Sequence, residues 1–226
     1  MKITWHGHGT WQIDVADKVF LLDPFFDDNP SAVIKAEEAN ADFILVSHGH
    51  FDHVADVASI ANRCNSKVIA IFEIAKWFSE NHSVADTLGM NIGGKIDLEI
   101  ATIKMTRAIH SSQLPDGTYG GVPAGFLFSA EGKDIYFACD TALFSDMDVI
   151  STTGLDLAVL PIGDLYTMGI EDSIEAIKLT NPKKVAPAHY NTWPPIEQDA
   201  DAWAALVSEN TRSEPVVVKP GESFEI

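Results

Sequence analysis

The chain has 226 residues, 46% of them apolar, and a formal net charge of −18. The apolar share supports a substantial core, and the acidic surface repels phosphate backbones and anionic lipid heads, which argues against nucleic-acid and membrane partners. The start MKITWHGHGTWQID lacks the apolar core of a signal peptide, no run approaches the roughly 18 apolar residues of a membrane span, and two cysteines, Cys64 and Cys139, do not make a disulfide framework. The expectation is a cytoplasmic protein with reduced thiols, built as a single domain over residues 1–226.

In chain order, KITWHG, TWQIDV and KVFLLDPF read as short strands separated by turn signals at Gly7–Gly9 and Ala16–Asp17. ADFILVS is a continuous apolar run that suits a strand buried on both faces. Val54–Arg63 carries apolar residues at helical spacing, with Asp52 close to a capping position. KVIAIF predicts a strand and Glu73–Asn81 a helix. Beyond Gly93–Gly94, DLEIATIKMTRAIH alternates as a strand. GFLFSA and KDIYFACD predict a hairpin around Glu131–Gly132, and DLAVLPIG a buried strand. Glu171–Thr180 is an amphipathic helix stopped by Asn181–Pro182. KKVAPAH predicts a strand, Asp199–Ser208 a helix, and PVVVKPGESFEI a terminal strand or pair. Strands in both halves with helices between them fit an α/β (α+β) fold of two packed sheets with helices outside, an αββα four-layer sandwich.

The run ILVSHGHFDHV puts three of the chain's eight histidines and an aspartate just past an apolar strand. Where a strand runs out, residues two apart point to the same side. His48 and His50 can therefore converge on one cation, while Asp52 and His53, at the turn into a helix, face a second. A single histidine is more often a satisfied core or surface group. HxHxDH after a strand reverses that preference. A two-metal site needs further ligands, and candidates stand at later strand ends: His110 after IKMTRAI, Asp140 after KDIYFAC, and His189 after KKVAPA.

With these residues in place, the chain resembles the metallo-β-lactamase-fold hydrolases nearly end to end: Asp23 in LLDPF, then His48-x-His50-x-Asp52-His53, His110, Asp140 and His189, in the family's order. GHGTWQI, RAIHSS, CDTALFSDM, LPIGDLYTMG and PAHYNTWP further resemble a branch of small metal-dependent hydrolases related to L-ascorbate-6-phosphate lactonase. The resemblance implies that His48, His50 and His110 hold one metal, that Asp52, His53 and His189 hold a second, and that Asp140 bridges them. It places Asp23 behind a ligand and His8 near the site's mouth, touching substrate or a ligand. It implies two divalent ions, zinc first, with Mn, Fe, Co or Ni as alternatives, and a bridging hydroxide that attacks a small-molecule ester, lactone or phosphodiester, with Asp52 also orienting the nucleophile or taking its proton. The competing readings are a metal-binding protein without turnover and a mononuclear-iron oxygenase on the same fold.

Bland readings compete elsewhere. Cys139 stands beside Asp140, yet strand alternation would turn its thiol the other way, as packing. His6, Trp5 and Trp11 suit the core. Asp164, Tyr166, Thr167, Asn191 and Trp193 lie in loops that could border the pocket. Arg107 is a nearby cation of uncertain direction. Phe25–Phe26 could serve a homo-oligomer interface.

Overall fold

The computed structural model describes residues 1–150 and 154–226. Two seven-stranded mixed sheets carry the fold. The first contains β1 (Lys2–Trp5), β2 (Trp11–Val15), β3 (Lys18–Leu22), β4 (Phe43–Val46), β5 (Lys67–Ile71) and β6 (Thr87–Met90) in that spatial order. The second contains β7 (Lys95–Asp97), β8 (Thr102–Arg107), β9 (Ala124–Ala130), β10 (Lys133–Phe137), β11 (Leu157–Pro161), β12 (Lys184–Ala188) and β13 (Glu214–Pro215). The last strand, β14 (Ser223–Glu225), returns to the first sheet and pairs antiparallel with β1. Helices α1 (Phe51–Val54), α2 (Val57–Cys64), α3 (Phe72–His82), α4 (Ile170–Thr180) and α5 (Ala200–Asn210) join them, giving the αββα sandwich expected from the strand pattern.

Apolar side chains of both sheets form a common core. Phe20 on β3 meets Phe128 on β9 edge to face, with centroids 5.0 Å apart. The runs read as doubly buried strands behave so: β4 and β11 lie inside parallel neighbours and expose almost nothing. Helix boundaries follow local chemistry. Asp199 caps α5 by accepting the amide N–H groups of Asp201 and Ala202. Asn181 ends α4 in a left-handed conformation at φ 45°.

Two expectations change. The helix read over Val54–Arg63 is broken into α1 and α2, because Asp56 turns its carboxylate sideways to accept the Phe26 and Asp27 amides at 2.6 and 3.2 Å. Asp52 caps nothing: it lies in the first turn of α1, whose N-cap position is His50. Strand β6, in DTLGM, lacks a β-branched run and escapes notice in sequence; it forms by parallel pairing on the edge of β5.

Candidate metal centre

The site residues stand where strands end. Asp23 follows β3 at a left-handed φ of 44°, and Ser47 and His48 follow β4. The Ser47 amide and hydroxyl donate to the two oxygens of Asp23 at 2.7 and 2.5 Å, clamping the two strand ends together. Gly49 gives the loop room to pass the 113–114 backbone, which a Cβ there would meet at 3.2 Å. His189 follows β12, also left-handed, at φ 54°.

His48, His50 and His110 form one group. His50 Nδ1 lies 3.0 Å from His48 Nε2 and 3.3 Å from His110 Nε2. Two nitrogen ligands at about 2.05 Å from one tetrahedral ion stand about 3.3 Å apart, so the spacing matches the edge of such a shell. The outward nitrogens are held: His48 Nδ1 meets the Ser47 hydroxyl at 2.9 Å, and His50 Nε2 meets that of Ser111 at 3.2 Å. Burial lowers the pKa of all three imidazoles, which keeps them neutral and able to donate a lone pair.

Asp52, His53 and His189, with His8 beside them, form the second group. Asp52 Oδ2 is 3.7 Å from His53 Nε2 and 3.8 Å from His189 Nε2. His53 Nδ1 donates to Asp23 Oδ2 at 2.8 Å, while its Nε2 is buried and makes no hydrogen bond. A buried ring nitrogen with no hydrogen bond, aimed among carboxylates, is what a cation would satisfy. Asp140 stands between the groups: its Oδ2 lies 3.0 Å from His189 Nε2 and 3.4 Å from His53 Nε2, and 3.7 and 3.9 Å from His110 and His48 Nε2. Burial works against the charge on Asp140, but His189 and His53 hold its pKa well below the ordinary carboxylate value. Burial likewise opposes a proton on His53, yet Asp140, Asp52 and Asp23 together raise its pKa well above the imidazole value. Asp52 is held low by His53 and His8 against its own burial.

The seven side chains expected around two metals are thus adjacent, with Asp23 behind His53 and Ser47. His8 is fully buried, with Nε2 on Asp52 and Nδ1 on Thr192, so neither nitrogen is free to ligate. Burial pushes its pKa down to about 3. Sequence reasoning missed Thr192, Ser47 and Ser111; hydroxyls beside ligands carry no spacing signal, although each lies within three residues of one.

The structure places several neighbouring residues, some against expectation. β10 ends at Phe137, so alternation does not reach Cys139. Its backbone is left-handed at φ 54°, and it lines the same internal cavity of about 10 Å³ as Asp23, His53 and Asp140. Burial raises its thiol pKa well above the ordinary value, which disfavours the thiolate. Arg107 reaches Asp146 at 3.5 Å and lies over the Phe144 ring. Phe25 and Phe26 are fully buried, so they offer no surface for an interface. Trp5 stacks between Trp11 and Tyr190, as packing. Of the loop residues, Trp193 comes closest, its ring 5.0 Å from that of His8, whereas Asn191 turns away to accept the Gln198 amide.

Residues 18–190 match the β-lactamase superfamily domain. The chain is 44% identical to a UPF0173 metal-dependent hydrolase of Pelotomaculum thermopropionicum over all of both chains. It is 45% identical to one of Thermus thermophilus, covering 98% of this chain and 97% of the relative. Among solved structures, a metallo hydrolase from the archaeon Ignicoccus hospitalis superposes with a TM-score of 0.89 at 34% identity, covering 100% of this chain and 98% of that one. An isothiocyanate hydrolase from Delia radicum gut bacteria shares the fold, with a TM-score of 0.78 at 18% identity over 100% and 99% of the two chains. The chain belongs to the metal-dependent hydrolases of the metallo-β-lactamase superfamily.

Proposed function

We propose that the protein hydrolyses a small-molecule ester, lactone or phosphodiester with two divalent cations held by His48, His50 and His110 on one side, by Asp52, His53 and His189 on the other, and by Asp140 between them. The carrying observation is the position of Asp140 Oδ2, within 3.9 Å of four imidazole nitrogens drawn from both groups. Charge supports the count. Three carboxylates, Asp23, Asp52 and Asp140, lie against imidazoles, and among the described residues no Lys or Arg is paired to them. Two dications and one hydroxide would leave this enclosed cluster neutral. Zinc suits the nitrogen-rich donor set, and Mn, Fe, Co or Ni fit the same donors.

Bound there, the cations would supply a hydroxide at neutral pH and polarise the substrate oxygen. The chain's residues do the positioning. Asp140 and Asp52 face the space between the groups, where an attacking oxygen would sit, and Asp52 is the group able to orient it or take its proton. Asp23 keeps the His53 ring turned so that Nε2 faces inward, and Ser47 does the same for His48. Cys139, held as a thiol, is not needed as a nucleophile.

Arg107, the cation nearest to His110 in sequence, is engaged by Asp146. Within the proposed set, that favours an uncharged ester or lactone over a phosphodiester. Elemental analysis paired with a panel of lactones, esters and phosphodiesters tests the reading. About two divalent ions per chain with chelator-sensitive turnover of one class is expected; protein that takes up no metal after reconstitution overturns it. Iron with oxygen consumption, and no hydrolysis, would identify an oxygenase instead.

A further inference from the structure

We infer that His8 is a positioning residue for Asp52, and that Thr192 sets the tautomer it needs. This rests on the two-metal reading above. His8 Nε2 lies 2.8 Å from Asp52 Oδ2, and His8 Nδ1 lies 2.7 Å from Thr192 Oγ1. A carboxylate only accepts, so Nε2 must carry the proton. In a neutral ring Nδ1 is then a bare lone pair, and the Thr192 hydroxyl must donate to it. The array runs in one direction: Thr192 O–H to His8 Nδ1, then His8 Nε2–H to Asp52 Oδ2. It occupies one lone pair of the Asp52 oxygen nearest His53 and His189 and leaves the other for a cation.

The chain accepts local strain to build this. His8 has φ 53°, a left-handed conformation that is strained for a residue with a side chain. Gly7, at φ 96°, and Gly9 flank it, and a Cβ on Gly9 would stand 2.9 Å from the His53 ring. The His8 carbonyl accepts the His189 amide N–H and the Trp5 indole N–H, each at 3.0 Å. The ring packs 4.0 Å from His189, centroid to centroid, and 5.0 Å from Trp193. The WHGHG turn and the HYNTW loop, 184 residues apart at the His8–Thr192 bond, thus form a unit that grips the second cation group from behind. Among the described residues, no hydrogen bond or ring contact joins His8 or Thr192 to His48, His50 or His110.

The effect should therefore be confined to one cation. The test loads full-length protein with cobalt(II) and titrates with a chelator while following the visible spectrum. Thr192→Val, which keeps shape and removes the hydroxyl, should release one cobalt ion about ten- to a hundredfold more readily and leave the other unchanged. His8→Ala should act in the same direction, and Thr192→Ser should restore the original release. Nitrogen NMR of the metal-free protein should show His8 as the neutral Nε2–H tautomer. Both cobalt ions retained as in the parent by Thr192→Val and His8→Ala would overturn the role. So would equal loss of both ions without rescue by Thr192→Ser, which marks general damage. Parent protein that takes up no second cobalt overturns the two-metal reading itself, and His8's role with it.

Discussion

Asp23 and His53 meet at 2.8 Å with both side chains almost fully enclosed, and the same carboxylate receives Ser47, whose hydroxyl contacts His48. One aspartate thereby orients a ring from each of the two histidine groups. Asp23→Asn keeps the shape and removes the charge. It is expected to weaken metal retention about ten- to a hundredfold at both positions. Metal analysis after dialysis against a chelator checks this, and loss confined to one position would limit Asp23 to a single group.

Asp140 makes the companion prediction. Because its Oδ2 faces imidazoles of both groups, Asp140→Ala should lower occupancy at both positions and abolish turnover. Unchanged stoichiometry would count against a bridge.

Metal and proton should compete at His53. Burial opposes its charge, but Asp140, Asp52 and Asp23 raise its pKa above 6.5 in the metal-free protein. A raised imidazole pKa contributes stability that is complete below the unfolded value, about 6.5, and is lost as pH climbs through the folded value. Asp140 is depressed, so its contribution is present above about pH 3.9 and lost as pH falls through its folded value. Metal-free protein should lose Tm on the alkaline side, and zinc-loaded protein should not, since the cation takes the proton's place. Thermal melts of both forms from about pH 7.5 to about pH 9 decide it, because the lowered imidazoles of His8, His48, His50 and His110 are then neutral in both folded and unfolded chains. A metal-free Tm that climbs steadily over this range contradicts it.

Gly9 makes a steric prediction. A methyl group there would stand 2.9 Å from His53 Cε1 and 3.3 Å from Nδ1, both in a packed interior. Gly9→Ala should push the ring off Asp23, costing about 1–3 kcal/mol in stability together with metal. Wild-type melting and metal content would show that the ring can move aside.

Cys139 should prove dispensable for chemistry. With its thiol pKa raised by burial, Cys139→Ser is expected to retain most activity. Inactive protein with fold and metal intact would restore the cysteine as a nucleophile.

Most strands and the candidate site residues were legible because apolar runs and the residues that end them can be read locally, while the grouping of those residues came from the family resemblance. Apolar runs such as ILV and LAVLP announce buried strands, and His48, Asp140 and His189 stand just where such runs stop. What escaped depends on neighbours remote in sequence. Asp56 breaks a helix because of a loop about 30 residues earlier, and β6 exists because β5 offers an edge. Cys139 departs from alternation because its strand ends two residues sooner than its composition suggests. Thr192 matters only because His8, at the other end of the chain, leans on it.

That last link bears on biosynthesis. Asp23, the HxHxDH turn and His8 are made within the first 53 residues, but their partners His110, Asp140, His189 and Thr192 come much later, and β1 gains its outer neighbour only at Ser223–Glu225. A nascent chain on the ribosome therefore exposes a cluster of histidines with no finished pocket around them. Contacts this distant in sequence make closure a late and slow event in folding, so the centre cannot close before residues 189–192 have been made, and a chain cut short before residue 189 would lack His189 beside Asp52 and His53.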